Sequence, residues 1–381
     1  MKLIIDENLA YGEEAFSKIG NITKSHGRKI TNDLLMDSDA LIVRSITKVN
    51  EDLLRNTKVK FVGTATIGTD HLDKNYLDEK NIHYTSAAGC NAWAVTEYVF
   101  SALFHLAKEI NFNLTDKSIG IIGHGNIGSK IVKFAEALGM KTIINDPPLQ
   151  RKTGNSIYKS LDEALTADII TLHVPLNKTG IDKTVHLIDE KRLNSLKERT
   201  ILINSCRGPV VDNIAMVNRL KENNNIYTVF DVWEEEPSLS LELLNLVNIA
   251  TPHIAGYSWE GKVNGTWIVH DKLCEFLNIK PEWKPNMPEV DDNVIHFSGK
   301  NSIEENFYNL FNKVYPIFED NGRLKKALEL SSNKVGNYFD SLRKDYPFRR
   351  ELLNYKIELD EKLSRLIKVL ETFRLIVNLK N

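Results

Sequence analysis

Short apolar, β-branched runs alternate with helical patterns from the first residues of the chain. KLIID at 2–6, DALIVRS at 39–45, VKFVGTAT at 59–66 and IHYT at 82–85 each read as a strand. Strands spaced by helical stretches in this way make a parallel α/β unit. From about Asn91 the apolar positions of AWAVTEYVFSALFHLAKEI recur at helical spacing, over a length too great for a strand. One long helix is expected there, bridging two domains. A second series follows, KSIGIIG, KTIIND, DIITLHV, TILINS, YTVFDV and NIATPH, with helical stretches between the first five. Six strands joined by crossovers describe a doubly wound sheet. YSWEGKVNGTWIVHDKLCEFLNI then reads as helical to about 279, and the prolines of KPEWKPNMPEV mark a linker. The tail shows a strand-like NVIHF, a helix around Ile303 to Phe318, an alternating YKIEL and the amphipathic EKLSRLIKVLETF, a small α+β domain.

Length and charge narrow the function. At 381 residues the chain exceeds one domain of roughly 100 to 200 residues. With 42% apolar residues, 26% charged residues and a formal net charge of -2, neither disorder nor a broad nucleic-acid surface is favoured, and the partner is expected to be a small molecule. No stretch approaches the roughly 20 apolar residues that span a bilayer. The opening MKLIIDENLAYGEE acquires acids where a secretory signal stays apolar, so a cytoplasmic location away from membranes is expected. Cys90, Cys206 and Cys274 are odd in number and far apart, with no CxxC pair or His cluster beside them. Neither a disulfide nor a metal site is expected.

In doubly wound sheets ligands bind outside the carboxyl ends of the strands. Those ends here carry His124, Asp146, His173, Cys206 with Arg207, Asp231 and His253. GHGNIG at 123–128 follows an apolar strand and opens a helix. Gly123, Gly125 and Gly128 suit a tight turn whose backbone approaches a pyrophosphate at a helix N-terminus. Asp146, ending the next strand, can accept hydrogen bonds from the adenosine ribose, and its charge would repel an extra phosphate by about 4 kcal/mol at ~4 Å and an effective dielectric near 20. NAD is therefore expected rather than NADP, although the same acid can instead cap the turn before Pro147 and Pro148. Arg207, just past a strand and followed by Gly208, suits a two-pronged grip on a carboxylate. DVWEEEP at 231–237 and TPHIAG at 251–256 together offer a carboxylate to orient an imidazole base. The pattern leaves open which of Glu234, Glu235 and Glu236 supplies it. In the first domain Arg44, Ser45 and Thr66 lie at strand ends as cationic and hydroxyl donors suited to a phosphate, and Lys48 is a further candidate.

The GxGxxG with its Asp, the Arg-Gly segment ending in VVD, DVWEEEP and TPHIAG, in that order, resemble the D-isomer-specific 2-hydroxyacid dehydrogenase family over nearly all of residues 1–280. IIDEN at 4–8, VRSITKVN at 43–50, FVGTATIGTDHLD at 61–73, GCNAWAVTEYV at 89–99 and HIAGYSWEGKVNGT at 253–266 resemble one branch of it, whose substrate carries a phosphate. FDSLRKDYPFRRE at 339–351 is similar to a motif in that branch's C-terminal dimerisation domain. The resemblance implies two doubly wound parallel-sheet domains, flavodoxin-like and Rossmann: a substrate-binding one of residues 1–92 and 257–282, and an NAD-binding one of 93–256. A small C-terminal α+β dimerisation domain would occupy 286–381. It implies Arg207 on the substrate carboxylate and C2 oxygen, His253 as acid/base and Glu236 beside it. Ser45, Thr66 and Tyr257 would contact the substrate, Asp231 and Gly256 the nicotinamide end of NAD, and Asn126, Ile127, Val174 and Cys206 would join the cofactor set. The implied reaction is oxidation of 4-phospho-D-erythronate to 2-oxo-3-hydroxy-4-phosphobutanoate, a step towards pyridoxal phosphate. Another D-2-hydroxy acid, such as 3-phosphoglycerate or glycerate, and a non-catalytic NAD-sensing partner protein are the alternatives. A homodimer is expected, because the apolar face of LSRLIKVLETF needs a partner surface.

Overall fold

The computed structural model describes residues 1–380. The chain divides into two compact units, Met1–Asn91 with Ser258–Glu289, and Ala92–Tyr257 with Val290 onwards.

The first unit is built on a five-stranded parallel sheet of β1 (Lys2–Asp6), β2 (Asn21–Ser25), β3 (Ala40–Val43), β4 (Phe61–Thr64) and β5 (His83–Ser86), in the order β2-β1-β3-β4-β5. That order is the flavodoxin-like one. β3 and β4 are buried throughout, as expected of central strands of a parallel sheet covered on both faces. Helix Trp259–Phe276 covers one face, and Val269 lies so close to Gly63 that a side chain there would strike it. β2 is absent from the sequence reading. Its NITKS is mostly exposed at the sheet edge, and only backbone pairing with β1 makes it a strand.

The second unit holds six parallel strands, β6 (Ser118–Ile122), β7 (Lys141–Asn145), β8 (Ile169–Leu172), β9 (Ile201–Asn204), β10 (Tyr227–Phe230) and β11 (Ile249–Ala250). Their order is β11-β10-β9-β8-β6-β7. The chain leaves β6 to one side for β7 and returns on the other as β8, so the switch point lies between β6 and β8. Helix Ala92–Glu109, expected to bridge two domains, lies wholly within this unit and is buried along nearly its whole length. The tail explains why. Phe104 stacks on Phe307 and Phe311, with ring centroids 4.9 and 5.6 Å apart, and Ser101 Oγ donates to the Tyr315 carbonyl at 2.9 Å.

That tail forms a three-stranded parallel sheet, β12 (Val294–Phe297), β13 (Lys356–Asp360) and β14 (Ile376–Lys380), with helices between its strands. The single helix expected around 303–318 is two helices, Ile303–Val314 and Ile317–Lys325, because Pro316 cannot continue the first. The apolar face around Leu363, Leu366, Leu370 and Phe373 is buried within the chain itself. Phe373 stacks on Phe134 at 4.1 Å and meets Phe100 edge-on at 5.4 Å. This corrects the reason for expecting a dimer, since the face is already covered. Periodicity shows that a face needs cover; it does not show what covers it.

Candidate functional site

The glycine turn follows β6. Gly123 has φ +96°, and a side chain on it would meet the His173 carbonyl oxygen at 2.5 Å and Val174 Cγ1 at 3.1 Å. One on Gly128 would run into the Gly123 carbonyl. Gly125 meets nothing within 4 Å, and Asn126 beside it is exposed. Two glycines are thus required by the turn's own packing, and the third leaves its backbone open to a ligand. Ile127 precedes helix Gly128–Ala137, whose first N–H groups and dipole favour an anion at this point. Asp146 accepts from Leu149 N–H at 2.9 Å through Oδ1 and from His124 N–H at 2.8 Å through Oδ2. It therefore caps helix Pro147–Thr153 and ties it to the glycine turn, with a lone pair left on each oxygen for ribose hydroxyls. His173, at the end of β8, is held neutral, because burial pushes its imidazole down to about 3. An uncovered turn, a helix N-terminus and a tethered acid fit NAD.

Arg207 leaves the end of β9 with its Nη1 donating to the Cys206 carbonyl at 2.7 Å and its own carbonyl accepting from Asn204 Nδ2 at 3.1 Å. The Cys206 thiol is buried, which pushes its pKa up and keeps it protonated. Gly208 follows because any side chain there would collide with the Trp233 backbone. The arginine turn is thereby packed against the loop that carries the three acids.

Those acids have different partners. Glu234 meets His186 Nε2 at 2.7 Å. Glu235 is exposed, with φ +60°. Glu236 accepts from Trp233 N–H at 2.8 Å through Oε1 and meets His253 Nδ1 at 2.7 Å through Oε2. Burial works against the Glu236 charge, but His253 and the Trp233 amide outweigh it and hold its pKa below the usual value. Of the three acids, Glu236 is the one that meets His253.

His253 itself stands at φ +57°, a conformation uncommon for a residue with a side chain and sustained only when its surroundings enforce it. Asp231 is the enforcer. Its carbonyl accepts from His253 N–H at 2.7 Å, and its carboxylate accepts from Ile254 N–H at 2.7 Å, Ala255 N–H at 2.9 Å and Thr251 Oγ at 2.6 Å. Burial raises the Asp231 pKa against these bonds. Gly256 is half-buried in the same loop, and Tyr257 closes it by donating its N–H to the Ile254 carbonyl at 2.7 Å.

A second clamp comes from the tail. Arg349 Nε donates to the Tyr257 carbonyl at 2.8 Å, Nη1 reaches Glu97 at 3.3 Å, and the guanidinium lies 4.1 Å from the Tyr315 ring centroid. Glu97 also accepts from Leu352 N–H at 2.9 Å and Arg374 at 2.8 Å. Burial and the neighbouring Glu351 push the Glu97 pKa up, against both arginines. Apart from Tyr257, none of these residues is given a role by the sequence. The available signals were an acid, Glu97, in the apolar middle of helix 92–109 and the Arg-Arg-Glu that ends an aromatic stretch.

In the first unit Arg44 and Ser45 follow β3 in a turn closed by Thr47 N–H donating to the Arg44 carbonyl at 3.2 Å. Ser45 and Lys48 are exposed. The Thr66 hydroxyl lies 2.8 Å from Thr64 Oγ, which in turn lies 3.0 Å from His71 Nε2. Burial and the charge of Arg44 hold the Lys262 pKa down. Among the described residues no group of three or more His, Cys, Asp or Glu gathers as a metal site would require, and no helix is long and apolar enough to cross a membrane.

Residues 97–255 match the family model described as D-isomer specific 2-hydroxyacid dehydrogenase, NAD binding domain, and residues 287–370 match a domain of unknown function. The chain is 43% identical over 363 residues to erythronate-4-phosphate dehydrogenase of Proteus mirabilis, covering 94% of this chain and 95% of that one. It is also 43% identical to the enzyme of the same name from Cronobacter sakazakii, covering 96% of each. Among solved structures, D-lactate dehydrogenase of Aquifex aeolicus complexed with NAD and lactic acid is similar with a TM-score of 0.58 at 26% identity, over 73% of this chain and 96% of that one. NAD-bound 3-phosphoglycerate dehydrogenase of Entamoeba histolytica shares the fold with a TM-score of 0.62 at 23% identity, over 75% and 99%.

Proposed function

The chain belongs to the D-isomer-specific 2-hydroxyacid dehydrogenase family, in its erythronate-4-phosphate dehydrogenase branch, and we propose that it oxidises C2 of 4-phospho-D-erythronate with NAD. The product is 2-oxo-3-hydroxy-4-phosphobutanoate, on the way to pyridoxal phosphate. The observation that carries this reading is the 2.7 Å contact between Glu236 and His253 at the end of the NAD-binding sheet.

With Nδ1 engaged by an ionised carboxylate, His253 has Nε2 left to take the proton of the substrate's C2 hydroxyl. Glu236 stabilises the resulting imidazolium and fixes the ring's orientation. NAD, when bound, supplies the hydride acceptor. Arg207 holds the carboxylate and C2 oxygen, and it favours the alcohol oxygen as negative charge grows on it. Ser45, Thr66, Arg44 and Tyr257 hold the rest of the substrate. Gly123, Gly125, Asn126, Ile127, Gly128, Asp146, Val174, Cys206, Asp231 and Gly256 form the cofactor set, with Asp146 selecting NAD. We place the enzyme in the cytoplasm as a homodimer.

The test is NADH formation with 4-phospho-D-erythronate and with 3-phosphoglycerate. Preference for the former by at least about tenfold in kcat/KM is expected. Preference for 3-phosphoglycerate, or no turnover of either, would remove the proposal.

A further inference from the structure

Helix Ser332–Lys344 packs beside the Glu236 loop, where a side chain on Gly336 would touch Pro237 and Ser238 at 3.4 Å. Its penultimate residue, Arg343, carries a cation to this place. The guanidinium carbon stands 5.9 Å from the Tyr257 ring centroid and 5.8 Å from that of Phe339. Tyr257 also meets Tyr346 edge-on at 5.6 Å. In the acid/base chemistry this arginine acts only through space, as one of the charges that keep Glu236 ionised.

Its hydrogen bonding is incomplete. Arg343 Nε is buried and has no partner. Burial opposes the charge; Tyr257, through charge and a hydrogen bond, and Glu236 and Asp340, through space, sustain it. Glu236 acts on it through space, its two oxygens being taken up with the Trp233 amide and His253. A buried donor without an acceptor is costly. An anion with several oxygens relieves that cost best, and a planar guanidinium is the side chain suited to grip one. Arg207 is occupied with the carboxylate in the proposed function, which leaves the other anionic group of the substrate.

We propose that Arg343, beside Tyr257, binds the phosphate of the substrate, so that the C-terminal region supplies a specificity-determining residue as well as packing. This rests on the substrate assignment above. A purely structural role, in which Arg343 offsets the buried charge of Glu236, predicts equal damage with every substrate. A phosphate contact predicts damage that follows the phosphate.

The experiment compares wild type, Arg343→Gln and Arg343→Lys with 4-phospho-D-erythronate and unphosphorylated D-erythronate. Arg343→Gln is expected to lose about tenfold or more in kcat/KM on the phosphorylated acid, mostly through KM, and less than about threefold on the other, with Arg343→Lys in between. Inorganic phosphate is expected to raise the melting temperature of the wild type and to leave that of Arg343→Gln unmoved. Equal losses on both acids, or an unchanged response to phosphate in Arg343→Gln, would overturn the proposal. Should the wild type oxidise neither acid, the functional reading falls, and the phosphate response still decides the role of Arg343.

Discussion

Three successive acids are chemically equivalent in sequence, and their partners alone separate them. His186 takes Glu234, and His253 takes Glu236. His253→Ala is expected to lower kcat by at least about 10², with NAD binding retained in a fluorescence titration. Glu236→Gln should lower kcat less. Losing the carboxylate removes the charge that offsets the one His253 gains with the substrate's proton; full activity in Glu236→Gln would argue that Glu236 does not act on His253. Asp146 holds two backbone amides as well as its proposed ribose contact. Asp146→Ala should therefore relax rejection of NADP and also lower the melting temperature by loss of a cap costing about 1 kcal/mol. At Gly208 the need for glycine comes from Trp233, which is distant in sequence. A sequence shows the dipeptide Arg-Gly without showing that obstacle.

Strand identity was legible where apolar β-branched runs are buried on both faces, as in β3, β4 and β9. It was not legible in β2, whose polar residues are defined by their pairing partner alone. One such long-range tie makes a pH prediction. Asp168, just before β8, accepts from the backbone N–H and hydroxyl of Ser118 at the start of β6 at 2.8 and 2.6 Å, and pairs with Lys197 at 2.8 Å. Despite the opposing effect of burial, these partners hold its pKa down to about 2, from an ordinary value of 3.8. The folded-state pKa is thus the lower one. Its stabilisation is fully present above about pH 4 and is lost as pH falls towards 2. Asp168→Asn should lower stability in denaturant titrations at pH 7 and flatten the loss between pH 4 and 2. An acid limb as steep as that of the wild type would rule the tie out as its source.

Across the second unit, the tail and the NAD-binding sheet share one apolar core, which includes Phe100, Phe104 and Phe134 on one side and Phe307, Phe311 and Phe373 on the other. Phe373→Ala should cost about 3 to 5 kcal/mol in a urea titration. Deleting the tail should leave those aromatic faces exposed and give an aggregating protein; a soluble, cooperatively folding remainder would contradict the shared core. The full chain is expected to sediment as a dimer through a surface other than the Leu363 to Phe373 face. By itself the sequence determined the doubly wound strands, the glycine turn with its acid, and the residue types that oxidise a hydroxy acid, because strand period, glycine spacing and strand-end chemistry are local properties. Only the tertiary structure decided which acid meets His253, what covers the tail's apolar face, and that Arg343 and Arg349 reach the loop around Tyr257. Those depend on which distant segments approach one another, and pairing of that kind leaves no period in a chain.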